Sequence, residues 1–359
     1  MKIPKLPSSR FLLMSAAGIA TAGTVAGVGA VLTARAVWRG IQLADLTGNV
    51  VLITGASRGL GLAMAREFAR LGCKLAICAR NQQELNWAAD ELRLSGADVL
   101  GIPCDVGNRE QVEEMVRQTT EHFGRIDVLV NNAGIISVGT IESQTIEDFR
   151  EAMDVMYWGV VYPTMAVLPQ MRARRSGRIA NITSIGGKIA VPHLVPYCGA
   201  KFAAVGFSEG MSAELAKDNI RVTTVVPGLM RTGSHVNAFF KGDNRAEFAW
   251  FSLGASSPLT AIAATRAARS VVNAVRRGSR EIILSLPAHI ASRIHGIAPG
   301  TTVAALGVVN RFMPGTGNSD QSRHRGKESG SAASQLLAKL GRDAGHALHQ
   351  YPEQKPTGS

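Results

Sequence analysis

The sequence predicts a single α/β domain built on a doubly wound parallel sheet, preceded by an N-terminal transmembrane helix. Three observations predict it. β-like and helical runs alternate from residue 49 to about residue 284. The first apolar run ends in a glycine-rich turn that opens a helix. Ahead of both lies an uncharged stretch of 23 residues. Alternation of this kind gives parallel strands, because each helix carries the chain back to start the next strand in the same direction.

Residues 50–54 form an apolar run and 59–71 have helical spacing. Strands are expected at 74–79, 99–103 and 128–131, with helices at 82–95 and 109–123. A long helical stretch ends near Arg174. Strand 178–182, helix 196–215, strand 221–226, helix 260–276 and strand 281–284 complete the domain, which spans 46–285. No internal repeat is visible. Residues 286–314 form an apolar extension. The tail, 315–359, is polar and rich in Gly, Ser and charge and is expected to be a flexible surface segment, a short amphipathic basic helix at 334–349 being the alternative.

Composition narrows the function classes. The chain has 359 residues, 46% hydrophobic and 18% charged, which supports a large core and excludes general disorder. The net charge of +12 fits an anionic membrane surface or an anionic cofactor. No Lys/Arg block or zinc-finger spacing points to nucleic acid. Cys73, Cys78, Cys104 and Cys198 have no metal-ligand spacing and read as buried thiols. No metal is expected.

Residues 1–40 hold Lys2, Lys5 and Arg10, then the uncharged stretch 11–33, then Arg35 and Arg39. A helix of that length reaches about 35 Å, enough to cross a bilayer core. Gly23 and Gly27 form a GxxxG pair. Ala20-Thr21-Ala22 leaves a cleaved signal peptide as the alternative. An uncleaved anchor with the domain facing the cytoplasm is expected, because the domain needs a cytosolic dinucleotide.

That need comes from Thr54-Gly55-Ala56-Ser57-Arg58-Gly59-Leu60-Gly61, the turn between first strand and first helix. Glycines there permit a tight turn and close approach to a pyrophosphate, and the helix start offers free N–H groups and a positive dipole end. Cofactor choice is made at the end of the second strand. It reads Ile77-Cys78-Ala79-Arg80-Asn81, with no acid to hold a ribose 2′-hydroxyl. Arg80 and Arg58 instead suit a 2′-phosphate, so NADP(H) is expected.

Further along stand Cys104-Asp105-Val106, Asn131-Asn132-Ala133-Gly134, Ser184, Tyr197 with Lys201 four residues on, and Pro227-Gly228 with Thr232. With the TGASRGLG turn, this ordered set resembles the short-chain dehydrogenase/reductase family over roughly residues 46–284. The resemblance implies a Rossmann-type fold and an NADP-dependent oxidoreductase interconverting a carbonyl and an alcohol. It implies that Asp105 bonds the adenine amino group and Val106 packs on the ring. Asn131, Ala133 and Gly134 would lie along the adenosine ribose. Pro227, Gly228 and Thr232 would hold the nicotinamide end. Ser184 would polarise the substrate oxygen, Tyr197 would deliver the proton, and Lys201 would bond the nicotinamide ribose and favour the phenolate. Tyr197 and Lys201 at i and i+4 share one helix face. One departure stands out: where the family commonly has an Asn that helps hold a proton-relay water, this chain has Met156. A thioether cannot replace an amide there, although a backbone carbonyl remains available.

Residues 229–254 correspond to the family's substrate-covering loop. Phe239, Phe240, Phe248, Trp250 and Phe251 give it an apolar character, pointing to a lipophilic carbonyl or alcohol of sterol, retinoid-like, fatty or polyketide-like type. His193 reads as a loop histidine. The expected partners are that substrate, a membrane, and a second copy in a homodimer or homotetramer. A non-catalytic NADP-binding membrane sensor or scaffold is the alternative reading.

Overall fold

The computed structural model describes residues 43–256, 261–317, 321–329 and 345–350. The chain divides into two units, Met1–Ala44 and Asp45–Ser359, and every described helix and strand belongs to the second. The expected anchor at 11–33 lies outside the described residues. Among the described residues, no helix is long and apolar enough to cross a membrane.

The first half runs β1 (Val50–Thr54), α1 (Gly59–Arg70), β2 (Lys74–Ala79), α2 (Gln82–Leu94), β3 (Val99–Pro103), α3 (Arg109–Phe123), β4 (Val128–Asn131), β5 (Ser137–Val138), α4 (Ile146–Met153) and α5 (Gly159–Arg174). The second half runs β6 (Gly177–Ile182), α6 (Val195–Glu214), β7 (Ile220–Val226), β8 (Leu229–Arg231), β9 (Phe239–Phe240), α7 (Asn244–Ser256), β10 (Ala261–Ala263), α8 (Ala264–Arg277), β11 (Glu281–Ile283), α9 (Leu286–Ile297), α10 (Pro299–Asn310), β12 (His324–Arg325) and α11 (Gly326–Ser329).

Seven strands form one parallel sheet in the order β11-β7-β6-β4-β1-β2-β3. Every residue of β1 and β4 is buried, as expected for central strands covered by helices on both faces. The strand order reverses between β1 and β4, so the chain leaves these neighbours in opposite directions. A crevice opens at their carboxyl ends, where such folds bind ligands.

Local signals explain the helix boundaries. Asn81 and Asn108 cap α2 and α3 by accepting from Glu84 N and Gln111 N, each at 3.0 Å. Gly124 ends α3 in the left-handed conformation. Thr145 and Asp148 form a capping box on α4. On α8, Ala267, Ala268, Val271, Val272 and Val275 make one buried face that packs on α1.

Several expectations change. The long helix before Arg174 is interrupted: residues Asp154–Trp158 are a π-helical turn between α4 and α5. Pro163 inside α5 has no N–H to offer the preceding turn, which loosens the ladder just after it. The substrate-covering loop folds into α7 and two small sheets, β8-β10 and β5-β9-β12. The apolar extension is a pair of helices, α9 and α10. The tail is not uniformly loose. Its stretch 321–329 pairs β12 antiparallel to β9, and in 345–350 both Leu348 and Gln350 are buried. Averaged composition hid these short docked pieces. Most of 334–349, where a basic helix was the alternative to a flexible tail, lies outside the described residues.

Candidate active site

The glycine-rich turn sits in the crevice as expected. Gly55 has φ +63°, and a Cβ there would lie 2.8 Å from Ala133 Cα; one on Gly61 would lie 2.2 Å from the Gly55 carbonyl oxygen. Only glycine permits this closeness. Thr54 Oγ1 accepts from the N–H groups of Asn132 and Ala133 at 2.9 and 3.1 Å. Asn132 returns its amide to the carbonyls of Thr54 and Gly55. The turn is thereby fixed to β4 before any ligand arrives. The first hydrogen bond of the α1 ladder is Leu62 N to Arg58 O. The N–H groups of Leu60 and Gly61 meet no protein acceptor among the described residues, which fits a pyrophosphate. Gly59 differs: its N–H donates to Leu348 O of the tail at 2.9 Å.

The specificity end holds a residue that the strand-end sequence did not reveal. Glu84, in the first turn of α2, reaches back to Arg58, whose Nη1 lies 3.0 Å from both carboxylate oxygens. It also accepts from Ser57 Oγ at 3.5 Å. Burial pushes the Arg58 guanidinium below its usual value, and Glu84 opposes that. Arg80 is exposed. The strand end itself lacks an acid, but the fold supplies one from the next helix.

Three groups expected to do chemistry converge at the carboxyl ends of β6 and β4. Ser184 follows β6, and its Oγ accepts from Gly186 N at 3.0 Å. The Ser184 hydroxyl also lies near the Tyr197 phenol and favours its ionised form. Lys201, on the same helix as Tyr197, is buried and donates from Nζ to Ile182 O at 2.9 Å. Its Nζ stands 5.9 Å from the Tyr197 ring centroid. Gly186 and Gly187, unnoticed in the sequence, make this approach feasible. A Cβ on Gly186 would sit 3.0 Å from Tyr197 Cε1, and one on Gly187 would sit 2.6 Å from Lys201 O.

Electrostatics in the protein alone run against the expected phenolate. Burial pushes Tyr197 up to about 12, partly offset by Ser184. Burial also brings Lys201 down to about 8. The phenol is therefore protonated at neutral pH, the form that donates a proton to a carbonyl oxygen.

The remaining expected residues take these places. Asp105 Oδ1 accepts from Gly107 N at 3.0 Å. Val106 is buried, and Gly159 packs on it so tightly that a Cβ would be 2.7 Å from Val106 Cγ2. Asn131 is buried and spends its amide on Asn181 Oδ1 and Thr164 Oγ1 at 2.8 and 3.0 Å, bracing β4 against β6 and α5. Gly134 borders Lys201 Nζ and Met156 Cγ, each 3.9 Å from a built Cβ. Pro227 O accepts from Ile185 N at 2.7 Å, and Thr232 Oγ1 from Ser234 N at 3.2 Å. Gly228 lies against Ser285 at the start of α9. Met156 is buried inside the π-helical turn, where Gly159 N bonds Asp154 O, one residue further back than an α-helix allows. A π turn shifts the ladder and is a frequent device at functional sites.

Known proteins match this geometry. Residues 49–240 fit the model of the short chain dehydrogenase family. This chain belongs to that family. It is 37% identical over 246 residues to Dehydrogenase/reductase SDR family protein 7-like from Anopheles gambiae, covering 67% of this chain and 76% of that protein. It is 35% identical over 240 residues to 11-beta-hydroxysteroid dehydrogenase A from Sesamum indicum, covering 66% and 68%. A short-chain dehydrogenase from Streptomyces avermitilis superimposes with a TM-score of 0.64 at 28% identity, covering 74% of this chain and 98% of that one. The family is one of oxidoreductases acting between carbonyl and alcohol groups with a nicotinamide cofactor. When bound, that cofactor supplies or accepts a hydride.

The substrate side combines the loop aromatics read from the sequence with residues that the sequence did not single out, Asp148, Lys241, Glu247 and Arg323. Phe240, Phe248 and Phe251 are buried against Val138, Leu194 and Ala238, so these loop aromatics pack on one another. Phe239 instead borders a small cavity with Tyr197, Pro196, Met156, Ile135 and Arg323. A charge cluster built on the buried pair Lys241 and Asp148 adjoins it. Lys241 Nζ bonds Asp148 Oδ2 at 2.6 Å, and Arg323 from the tail bonds both Asp148 and Glu151. Burial raises the Asp148 carboxyl, but Lys241, Thr145 and Arg323 reverse this and bring it to about 2. His193, with φ +63°, holds Glu247 of α7 at 2.6 Å, and Trp250 Nε1 donates to the same carboxylate at 2.6 Å. The loop histidine thus ties the substrate-covering helix to the segment leading into α6. Residues 193 and 247 are too far apart in sequence for any spacing rule to pair them.

Proposed function

We propose that this protein reduces a lipophilic ketone with NADPH, or oxidises the corresponding alcohol with NADP, while held to a membrane by residues 11–33 with its domain on the cytoplasmic side. The observation that carries the chemistry is the convergence of the Ser184 hydroxyl and the Tyr197 phenol, with the buried Lys201 Nζ 5.9 Å from the same ring centroid. Tyr197 is the proton donor, Ser184 orients the carbonyl, and Lys201 bonds the ribose. Ile135, Ala152, Met156, Pro196 and Phe239 line the small cavity beside Tyr197 together with Ser137, Asp148, Glu151 and Arg323, and its apolar members favour a lipophilic substrate. Similarity to a hydroxysteroid dehydrogenase and to a putative ketoacyl reductase of a granaticin polyketide synthase favours a ring or chain ketone. Arg58 and Arg80 favour NADP(H).

A second reading of the cofactor has its own support. Glu84 already satisfies Arg58, so this end of the crevice offers an acid beside a neutralised cation, which favours NAD(H). Measuring NADPH and NADH dissociation constants on wild type and Glu84→Gln separates the two. NADPH binding at least about tenfold tighter than NADH in wild type, roughly 1.4 kcal/mol, supports the first reading. A wild type that prefers NADH, and loses that preference in Glu84→Gln, overturns it. NADPH consumption with steroid ketones and β-ketoacyl thioesters then tests the substrate class. Tight NADPH binding with no turnover of any ketone would favour the sensor or scaffold.

A further inference from the structure

The helices α9 and α10 carry a surface that the catalytic chemistry does not use. Leu286, Ile290, Ile294, Ile297, Val303, Val308, Val309 and Phe312 are all exposed, Ile297 and Phe312 by 86% and 87%. No residue of α10 is buried, and Ala288 alone is buried in α9. The sequence of α10, PGTTVAALGVVN, has no charged residue and no polar face. A helix that is apolar all round is normally enclosed by other protein or by lipid. Contiguous exposed apolar surface of this kind marks an interaction site.

Charge decides between the two obvious occupants. From 285 to 312 the basic residues are Arg293 and Arg311, and there is no Asp or Glu. A second copy on this face would oppose like charges, whereas anionic lipid headgroups would attract them. Each helix has 12 residues, about 18 Å of length, too short for a bilayer core of about 30 Å. Apolar stretches of this length enter a membrane as interfacial or re-entrant segments rather than spans.

We propose that α9 and α10 form a membrane-surface contact that seats the catalytic domain on anionic lipid, separately from any anchor at 11–33. The contact immerses Ile294, Ile297, Val308 and Phe312 and leaves Arg293 and Arg311 at headgroup level. It brings the domain beside the phase in which a lipophilic substrate dissolves.

The test uses the full chain with Phe312→Cys, labelled with an environment-sensitive fluorophore. The four described cysteines, which are all the chain has, are buried. Vesicles of phosphatidylcholine with phosphatidylglycerol should shift the emission to the blue, and the same label at Leu94→Cys on α2 should not respond. Arg293→Gln and Arg311→Gln should each weaken the shift about fivefold in lipid titration, as roughly 1 kcal/mol per basic residue implies. If the protein floats with vesicles while the label at 312 stays in water, the membrane contact lies elsewhere and the proposal falls. It also falls if the shift follows protein concentration without lipid, because a second copy then covers the face. Neither outcome depends on turnover, so the assignment of the catalytic site is left standing.

Discussion

Lys201→Met should make the protein more stable while abolishing its activity. Lys201 is 5% exposed, and burial lowers its ammonium from 10.5 to about 8. That difference corresponds to on the order of 3 kcal/mol that the buried cation withdraws from stability at neutral pH. Methionine keeps the unbranched stem and removes the charge. It also leaves the Ile182 carbonyl without its donor, which costs about 1 kcal/mol. The net expectation is a gain of about 2 kcal/mol at pH 7. The gain depends on pH. Between about 8 and 10.5 the unfolded lysine holds a proton that the folded one has lost, so wild-type stability rises with pH there. The variant has no such group, and the gap closes as pH climbs. Tyr197, raised from 10.0 to about 12, affects both proteins alike and cancels in the difference. Denaturant unfolding of both proteins from about pH 7 to about pH 10 measures this directly. A variant less stable than wild type at neutral pH, or a gap that does not change with pH, would show that the buried cation is not the destabilising group.

Two other outcomes stem from groups outside the reaction. His235 is buried with its Nε2 unpartnered among the described residues, and burial lowers it from 6.5 to about 4. The unfolded histidine takes up a proton first as pH falls, so stability should drop by on the order of 3 kcal/mol between pH 6.5 and about 4. His235→Leu should flatten that slope in the same unfolding assay, above the range where Asp148 and Glu91 titrate. At the phosphate turn, Leu348 O occupies the Gly59 N–H, while Asn237 Nδ2 holds Gln350 at 2.7 Å and His349 Nε2 lies 2.9 Å from Glu91. Leu348→Asp should expel this segment and tighten NADPH binding several-fold, read by titration of nucleotide fluorescence. Weaker binding would mean the segment clamps the cofactor.

Sequence legibility was uneven for physical reasons. The seven strands of the main sheet coincide with apolar runs whose period and length leave little choice, and each lies within a residue of its expected bounds. The crevice was legible because strand-end chemistry is local: the turn 54–61, Ser184 and Tyr197 with Lys201 each carry their meaning within a few residues. What the sequence hid arises across long separations. Glu84 meets Arg58 only because α1 and α2 start side by side. Arg323 reaches Asp148 across 175 positions. The π turn at Met156 reflects a ladder adjustment that propensity does not record. The loop aromatics were visible, but their mutual packing depends on His193 and Glu247 placing α7.

The proton-donor assignment is tested most directly by the turnover of Tyr197→Phe on a ketone that the wild type reduces. The substitution keeps the ring that packs against Gly186 and removes only the oxygen near Ser184. Folding and cofactor affinity should be unchanged. A loss of about 10²–10⁴ in kcat is expected, the worth of a positioned acid. Turnover near that of the wild type, with the same cofactor affinity, would contradict the assignment.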